Sequence, residues 1–405
     1  MTFTASQTAS QIDGNDPYSP LVNRVFHTDQ IVWGDNSVNY LAKFIGRLRG
    51  KPEEAYDKLA ASLKPFNVTP LFRKEKDMHA IILMSGVINP KRSNPVINLV
   101  LFVLTLLSVI LMGTLFTYDG PFSGSLTDNL SYIIPALLRG LAFAASLLGI
   151  LLAHEFGHYL AARYHHTAVS LPYFIPFPFS PFGTMGAFIQ MKEPPKNKRI
   201  LLDIGLAGPL AGLVVAIPVL FLGLYLSELR PLPVDQGLYL EGNSILYLVA
   251  KYIVHGEWLP QPVSYEGLHP IIFWIRYFFT GLPIPAGGLD VILHPVAFAG
   301  WAGLLVTALN LIPAGQLDGG HLIFVLLGKR ARFVLPFVLT GLIALGTVWP
   351  VWWVWAFLIF MMGRIYAEPL DQITPLDPNR RLIAVFGLIV FVLVFIPIPI
   401  RLVGI

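Results

Sequence analysis

The chain has no cysteine among its 405 residues, and only 13% of its residues are charged. Without cysteine there can be no disulfide and no thiolate metal ligand, so any metal site must use histidine and carboxylate groups. Soluble domains carry about 25% charged residues, whereas this chain is 55% hydrophobic with a mean hydropathy of +0.64. This composition excludes an ordinary soluble protein and predicts a polytopic membrane protein.

The chain also lacks an apolar run near its start, so no cleavable signal peptide is expected. Its net charge of +4 does not indicate nucleic-acid binding, because the basic residues lie mostly at the ends of apolar segments. All basic clusters fall on one side of the membrane if the N-terminus is cytoplasmic. We therefore expect a multi-pass protein of the cell membrane, with the loop Ser227–Leu293 on the opposite side. The basic residues behind this orientation are Lys91, Arg92, Arg163, Lys192, Lys196, Lys198, Arg199, Lys329, Arg330, Arg332, Arg364, Arg380 and Arg381.

Composition divides the chain into three parts. Residues 1–25 are polar and predicted to be a disordered tail. Residues 26–93 predict a small soluble α+β domain, with an amphipathic helix from Pro52 and strands at Thr69–Arg73 and His79–Met84. Residues 94–405 predict a membrane domain, with two short interfacial helices inside residues 243–285. The predicted transmembrane helices are Pro95–Phe116, Ser131–Ala162, Ile200–Ser227, Pro295–Ile312, and about 332–349, 351–366 and 382–400.

The second apolar segment contains the sequence HEFGH, formed by His154, Glu155 and His158. On a helix, H-E-x-x-H places two imidazoles on one face at a spacing that binds Zn²⁺, with the glutamate as general base. An ionisable group in mid-membrane costs about 2.5–3.5 kcal/mol on insertion scales. Three such groups in five residues therefore predict a metal site within the membrane.

A catalytic zinc site needs a third protein ligand and an open fourth position. Asp318 is the best candidate, because it follows the fourth predicted helix at the same depth as HEFGH. Asn310, Pro313 and Gly315 break the helix there, which lets the chain turn toward a cavity. Asp203 is expected instead to serve the first turn of the third helix. His321 is expected to pack beside the site, His165 to lie at the interface, and Gly208 and Gly212 to permit close helix packing.

HEFGH together with N-x-x-P-x-x-x-L-D-G resembles the site-2 protease family of intramembrane zinc metalloproteases, in the branch with an N-terminal soluble domain. The second motif is read at Asn310, Pro313, Leu317, Asp318 and Gly319. The resemblance covers about residues 131–330, the family's catalytic core. It implies one Zn²⁺ per chain bound by His154, His158 and Asp318, water activation by Glu155, and binding of the scissile carbonyl or its oxyanion by Asn310. The alternative for Asn310 is a structural role, as a helix cap or a polar contact between helices.

The stretch Pro172–Pro181 cannot form a regular helix, and the following Gly183, Thr184, Met185 and Gly186 also match the family. We expect a re-entrant loop and an edge strand that binds an unwound substrate helix by strand addition. The expected partners are a transmembrane protein substrate and the lipid bilayer. The sequence leaves the oligomeric state open.

The predicted fold is an all-α polytopic membrane protein, with about six to seven transmembrane helices around a zinc site and a small N-terminal α+β cytosolic domain. The predicted function is intramembrane zinc endopeptidase activity in regulated intramembrane proteolysis. One alternative is a zinc-binding pseudoprotease that binds membrane helices without catalysis, although zinc binding alone would not need Glu155. Another is a zinc transporter, which would favour a line of polar groups through the bilayer rather than one compact cluster.

Overall fold

A computed structural model of the chain describes residues 16–34, 39–90, 93–120, 126–232, 238–285, 287–363 and 365–403. Most of the tail predicted as disordered lies outside these residues, as do three basic residues of the topology argument, Lys91, Arg92 and Arg364.

The N-terminal part forms an antiparallel four-stranded sheet with one helix packed against it. The sheet order is β1-β2-β4-β3, and α2 covers it with the apolar residues Ala55, Leu59 and Leu63. The elements are α1 (Ser19–Val22), β1 (Phe26–Trp33), β2 (Ala42–Leu48), α2 (Pro52–Leu63), β3 (Val68–Glu75) and β4 (Met78–Ser85), with a 3₁₀ turn at Lys64–Phe66. The structure contains the helix and the two strands that the sequence predicts, and adds β1 and β2.

Among the residues that the structure describes, three helices are long and apolar enough to cross a membrane: α3 (Pro95–Thr117), α4 (Leu126–Tyr164) and α5 (Lys198–Tyr225). Asparagine side chains cap two of them, since Asn94 accepts from Val96 N and Asn197 from Ile200 N. Each agrees with a predicted span, although α5 begins two residues earlier than expected. The core of the membrane part lies where α4 and α5 pack against a shorter, almost fully buried helix, α8.

The remaining helices are shorter than the predicted spans. At about 1.5 Å per residue, the 12-residue helices α10 and α11 are roughly 18 Å long, against a hydrocarbon core of about 30 Å. The count of six to seven spans therefore stays a prediction beyond the three long helices. The shorter helices are α6 (Ile245–His255), α7 (Pro270–Thr280), α8 (Pro295–Asn310), α9 (Asp318–Leu327), α10 (Leu335–Gly346), α11 (Val351–Met362) and α12 (Pro378–Val394), with a 3₁₀ segment at Gly328–Phe333.

The membrane part is mainly helical, as predicted, but its described residues also form three two-stranded antiparallel sheets. β5 pairs with β6 between α4 and α5, where the sequence predicts an edge strand. The other two sheets, β7 with β9 and β8 with β10, were not predicted. The strands are β5 (Tyr173–Pro176), β6 (Thr184–Phe188), β7 (Glu228–Pro231), β8 (Leu238–Glu241), β9 (Leu289–Ile292) and β10 (Ile400–Val403).

An extended segment after α11 joins the N-terminal sheet to the membrane part. Phe72 N donates to Leu370 O at 2.9 Å, and Gln372 N donates to Phe72 O at 3.0 Å, so the segment pairs with the outer edge of β3. Asp371 N also donates to Lys196 O at 2.7 Å, just before α5. The N-terminal sheet is thus held against the start of α5.

Candidate metal centre

His154 and His158 lie on one face of α4, because residues four apart on a helix point in the same direction. Both side chains are buried. Their rings meet edge to face with centroids 5.0 Å apart, and their Nε2 atoms lie 3.2 Å from each other. The helix thus directs two imidazole lone pairs toward one point.

Asp318 reaches the same point from the first residue of α9. The preceding helix, α8, ends at Asn310, and the chain turns through Pro313 and Gly315, which has a φ of +56°. A side chain at Gly319 would place its Cβ 1.9 Å from Leu311 O, so only glycine allows the chain to turn this tightly after Asp318. The predicted helix Pro295–Ile312 therefore ends two residues early, at Asn310, and Asp318 begins a separate helix after the turn.

The three donor atoms fit a tetrahedral metal site. His154 Nε2 lies 3.5 Å and His158 Nε2 lies 3.3 Å from Asp318 Oδ2, which completes a triangle with the 3.2 Å between the two nitrogens. With metal–ligand bonds of about 2.0–2.1 Å, as zinc has, the edge of a tetrahedron is about 3.3–3.4 Å. The three atoms therefore form one face of such a tetrahedron, and the fourth corner is left for a water or substrate oxygen. Within the part of the chain that the structure describes, this is the one group of three or more histidine and acidic side chains that could hold a metal.

Glu155 is buried beside this triangle. No donor among the described residues satisfies its Oε2, although the backbone of Ile189 lies beside the carboxylate. Buried carboxylate oxygens are normally hydrogen-bonded, so an unsatisfied one calls for an explanation such as a catalytic role. A water at the fourth corner of the metal site would supply the missing donor.

Asn310, the last residue of α8, also lies next to the triangle. Its side-chain nitrogen is 3.2 Å from His154 Nε2. The structure therefore brings together all five side chains that the sequence singles out for chemistry.

The helix α5 positions the two histidines. His158 Nδ1 donates to Ile204 O at 2.7 Å, which leaves Nε2 free to bind a metal. A Cβ at Gly208 would lie 2.1 Å from His158 Nε2, and one at Gly212 would lie 3.2 Å from His154 Nδ1. The predicted packing role of these glycines therefore includes direct contact with the site. The sequence contains a signal for this contact: His154 and His158 are four residues apart, and so are Gly208 and Gly212 on the antiparallel helix.

The segment Gly183–Gly186 starts the strand β6 next to the site. β5 pairs with one edge of β6, and no described strand pairs with its other edge. Met185 is two-thirds exposed, and the backbone one residue beyond β6, at Ile189, lies beside Glu155. Ser108 of α3 donates to Gly183 O at 2.6 Å, which fixes the start of the strand. The edge strand is thus present close to the triangle.

The other polar groups that the sequence singles out are not part of the donor triangle. His321 is buried one turn after Asp318 and packs against Gly205. The expected role of Asp203 in the first turn of its helix is wrong, because α5 begins at Lys198 and Asn197 caps it. Instead, Asp203 Oδ2 accepts from His165 Nε2 at 2.9 Å and from Arg380 Nη2 at 2.7 Å.

A family model and several curated proteins match the chain. The family model of peptidase family M50 matches residues 142–345, which include the three donors, Glu155 and Asn310. The chain is 29% identical over 391 residues to the probable zinc metalloprotease EGY1, chloroplastic, of Oryza sativa subsp. japonica. The aligned region covers 88% of this chain and 62% of that protein. The chain is 28% identical over 390 residues to the protein of the same name from Arabidopsis thaliana, which covers 88% and 66%.

A third relative is the probable zinc metalloprotease EGY2, chloroplastic, of Oryza sativa subsp. indica, with 28% identity over 378 residues, 88% of this chain and 61% of that protein. The chain thus spans between three fifths and two thirds of the length of these curated relatives. No solved structure is a significant match to the chain.

Proposed function

The chain belongs to peptidase family M50, and from this membership we propose that it is an intramembrane zinc metalloendopeptidase that cleaves transmembrane segments of other proteins. The observation that carries the proposal is the triangle of the buried His154 and His158 with the partly buried Asp318, and Glu155 buried beside it. The proposal includes one zinc per chain and a role in regulated intramembrane proteolysis.

Each side chain has a distinct part in the proposed reaction. Zinc in such a site acidifies water and polarises a carbonyl group. Glu155, whose Oε2 has no donor among the described residues, accepts a proton from the attacking water and returns it to the leaving nitrogen. Asn310 donates a hydrogen bond to the carbonyl oxygen of the scissile bond. The burial of His154, Glu155 and His158 strengthens their electrostatic contacts.

The substrate must present an unwound peptide bond, because the amides of a membrane helix are hydrogen-bonded within the helix. We propose that the substrate binds in extended form along the unpaired edge of β6, at Gly183, Thr184, Met185 and Gly186. The proximity of Ile189 to Glu155 supports this position for the scissile bond.

The proposed placement is multi-pass in the cell membrane, with residues 26–93 as a separate cytosolic α+β domain and residues 94–405 as the membrane domain. The catalytic core is about residues 131–330. The basic clusters support this orientation. The proposed partners are a transmembrane protein substrate and the bilayer.

Two variants test the chemistry. Purified protein should contain about one zinc per chain, and Asp318→Ala should lose it. Glu155→Gln should keep the zinc and no longer cleave a transmembrane substrate in proteoliposomes. Glu257→Gln is the matched control, because Glu257 is exposed just after the C-terminal end of α6 and is distant in the chain from the site residues. Full zinc content in Asp318→Ala would refute the ligand set, and cleavage by Glu155→Gln would refute the mechanism. Zinc flux without proteolysis in the same vesicles would favour the transporter.

A further inference from the structure

Three histidines contact α5 one after another along its interface with α4. Two of them, His154 and His158, belong to α4, and His165 directly follows it. His154 faces Gly212, His158 faces Gly208 and Ile204 O, and His165 binds Asp203. The helices run antiparallel, so these three contacts follow one another from the metal site toward the basic end of α4. We call this interface, lined by the residues named here, the α4–α5 seam.

The two helices of the seam approach each other closely through small residues. A Cβ at Gly157 would lie 2.5 Å from Ala207 O and 2.9 Å from the Cβ of Ala211, so the backbones nearly touch. Glycine and alanine allow this close approach, but they provide no hydrogen bond with a defined direction. Polar contacts along the seam are therefore the ones that can define the axial position of α5 against α4 most sharply.

The carboxylate of Asp203 holds α5 in place through hydrogen bonds of defined direction. Arg380 of α12 donates from Nε to Asp203 Oδ1 at 2.9 Å and from Nη2 to Oδ2 at 2.7 Å, a two-pronged pair with defined geometry. His165 Nε2 lies 2.9 Å from the same Oδ2. Arg380 is itself held by Asp377, whose Oδ1 accepts from Nη1 at 3.0 Å. Three helical segments thus meet at one carboxylate.

We propose that Asp203 is a positioning residue for the metal site, an inference that rests on the proposed function. Asp203 is adjacent to Ile204, whose carbonyl oxygen orients His158 through a 2.7 Å hydrogen bond. N–H···O bonds span only about 2.7–3.2 Å, so a displacement of about 1 Å along the seam is enough to weaken or misalign this bond. By fixing α5 against α4, Asp203 holds the His158 ring in the orientation that the donor triangle requires.

The test compares neighbouring arginines. Arg380→Gln and Asp203→Asn remove the two-pronged pair, whereas Arg381→Gln removes the same charge one residue later from an exposed side chain. Because the chain has no cysteine, nitroxide labels can be placed at Leu160→Cys on α4 and Val214→Cys on α5, both largely exposed. Pulsed EPR then reports the axial position of the helices without any metal.

We expect Arg380→Gln and Asp203→Asn to shift or broaden the label distance relative to Arg381→Gln. Their zinc affinity in chelator competition should fall about tenfold, the lower end of the range for residues that orient metal ligands. Their kcat should fall while KM stays within twofold, because β6 is held by α3. Arg380→Lys, which keeps the charge and one donor prong, should be intermediate.

An unchanged label distance and zinc affinity in both variants would overturn the proposal, even if their thermal stability falls. If Asp203→Asn does not fold, Arg380→Lys against Arg381→Lys decides the question with the same two measurements. Failure of the wild-type protein to bind zinc or cleave would refute the proposed function. The label distances would still show whether Asp203 fixes the seam.

Discussion

Gly208 is the position where a single added methyl group should do the most damage to the proposed site. In Gly208→Ala, the new Cβ would lie 2.1 Å from His158 Nε2, 2.3 Å from Cδ2 and 2.5 Å from Cε1. Carbon atoms pack at about 3.5–4.0 Å, so either the imidazole or α5 must move by more than about 1 Å. Both movements break the arrangement of His158 between Ile204 O and Asp318 Oδ2, which now lie 2.7 Å from Nδ1 and 3.3 Å from Nε2.

The expected losses follow from that displacement. A misplacement of about 1 Å can cost roughly 10²-fold in rate, and overpacking a core costs about 1–3 kcal/mol of stability. We therefore expect Gly208→Ala to lose most of its zinc affinity and to cleave about 100-fold more slowly. Chelator competition and cleavage of a transmembrane peptide in proteoliposomes measure the two effects.

Two other glycines calibrate the result. A Cβ at Gly212 would lie 3.2 Å from His154 Nδ1, a contact that a shift of a few tenths of an ångström relieves, so Gly212→Ala should be mildly impaired. A Cβ at Gly149, on α4, would meet nothing within 4 Å, so Gly149→Ala should retain full activity. If Gly208→Ala binds zinc and cleaves as well as Gly149→Ala, the packing of α5 against the histidines does not control the site.

Three further predictions concern the substrate, the carbonyl and the orientation. Met185→Pro removes one backbone donor from β6 without touching the donor triangle, so KM should rise or turnover should fall at unchanged zinc content. Helix-breaking residues near the cut should make a peptide a better substrate. Unchanged kinetics in both tests would exclude strand addition. Asn310→Ala should lower kcat about 10²–10³-fold, as removal of an oxyanion donor does, with zinc retained; a wild-type kcat would assign Asn310 a packing role. Tyr239→Cys, at a largely exposed position of β8, should react with an impermeant thiol reagent only from the non-cytoplasmic side, and labelling from the cytoplasmic side alone would reverse the proposed topology.

The proposed metal ligands could be identified from the sequence because their chemistry conflicts with their surroundings. His154, Glu155 and His158 stand out in an apolar helix, and Asp318 is the carboxylate at matching depth beside a helix break. In the structure, the ligand atoms of His154, His158 and Asp318 all lie within 4.8 Å of one another. The groups that orient them were not identifiable in this way. Ile204 acts through its carbonyl, which every residue has, and Arg380 lies 177 residues from Asp203 in the chain.

The fold was predictable to a similar extent and for similar reasons. α3, α4 and α5 agree with the predicted spans, because long apolar runs leave no alternative in a membrane protein. β1 was missed because Phe26 is its one fully buried residue, so its sequence lacks the alternation that predicts a strand. The lengths of α10 and α11 were overestimated because apolar residues continue past Gly346, where α10 ends, and because α11 ends at Met362, four residues before its predicted end.

The pairing of residues 370–372 with β3 has a consequence for how the protein is made. Arg73 donates to Leu370 O across 297 residues of chain, so the edge of β3 stays open until the ribosome has passed that point. At about 5–20 residues per second, this interval is roughly 15–60 s. Throughout that time the N-terminal sheet carries an unpaired strand edge, a structure prone to pairing with other chains. The sheet must therefore be kept from such contacts while the chain from α3 to α11 is made, and any fragment that ends before Leu370 lacks the segment that covers this edge.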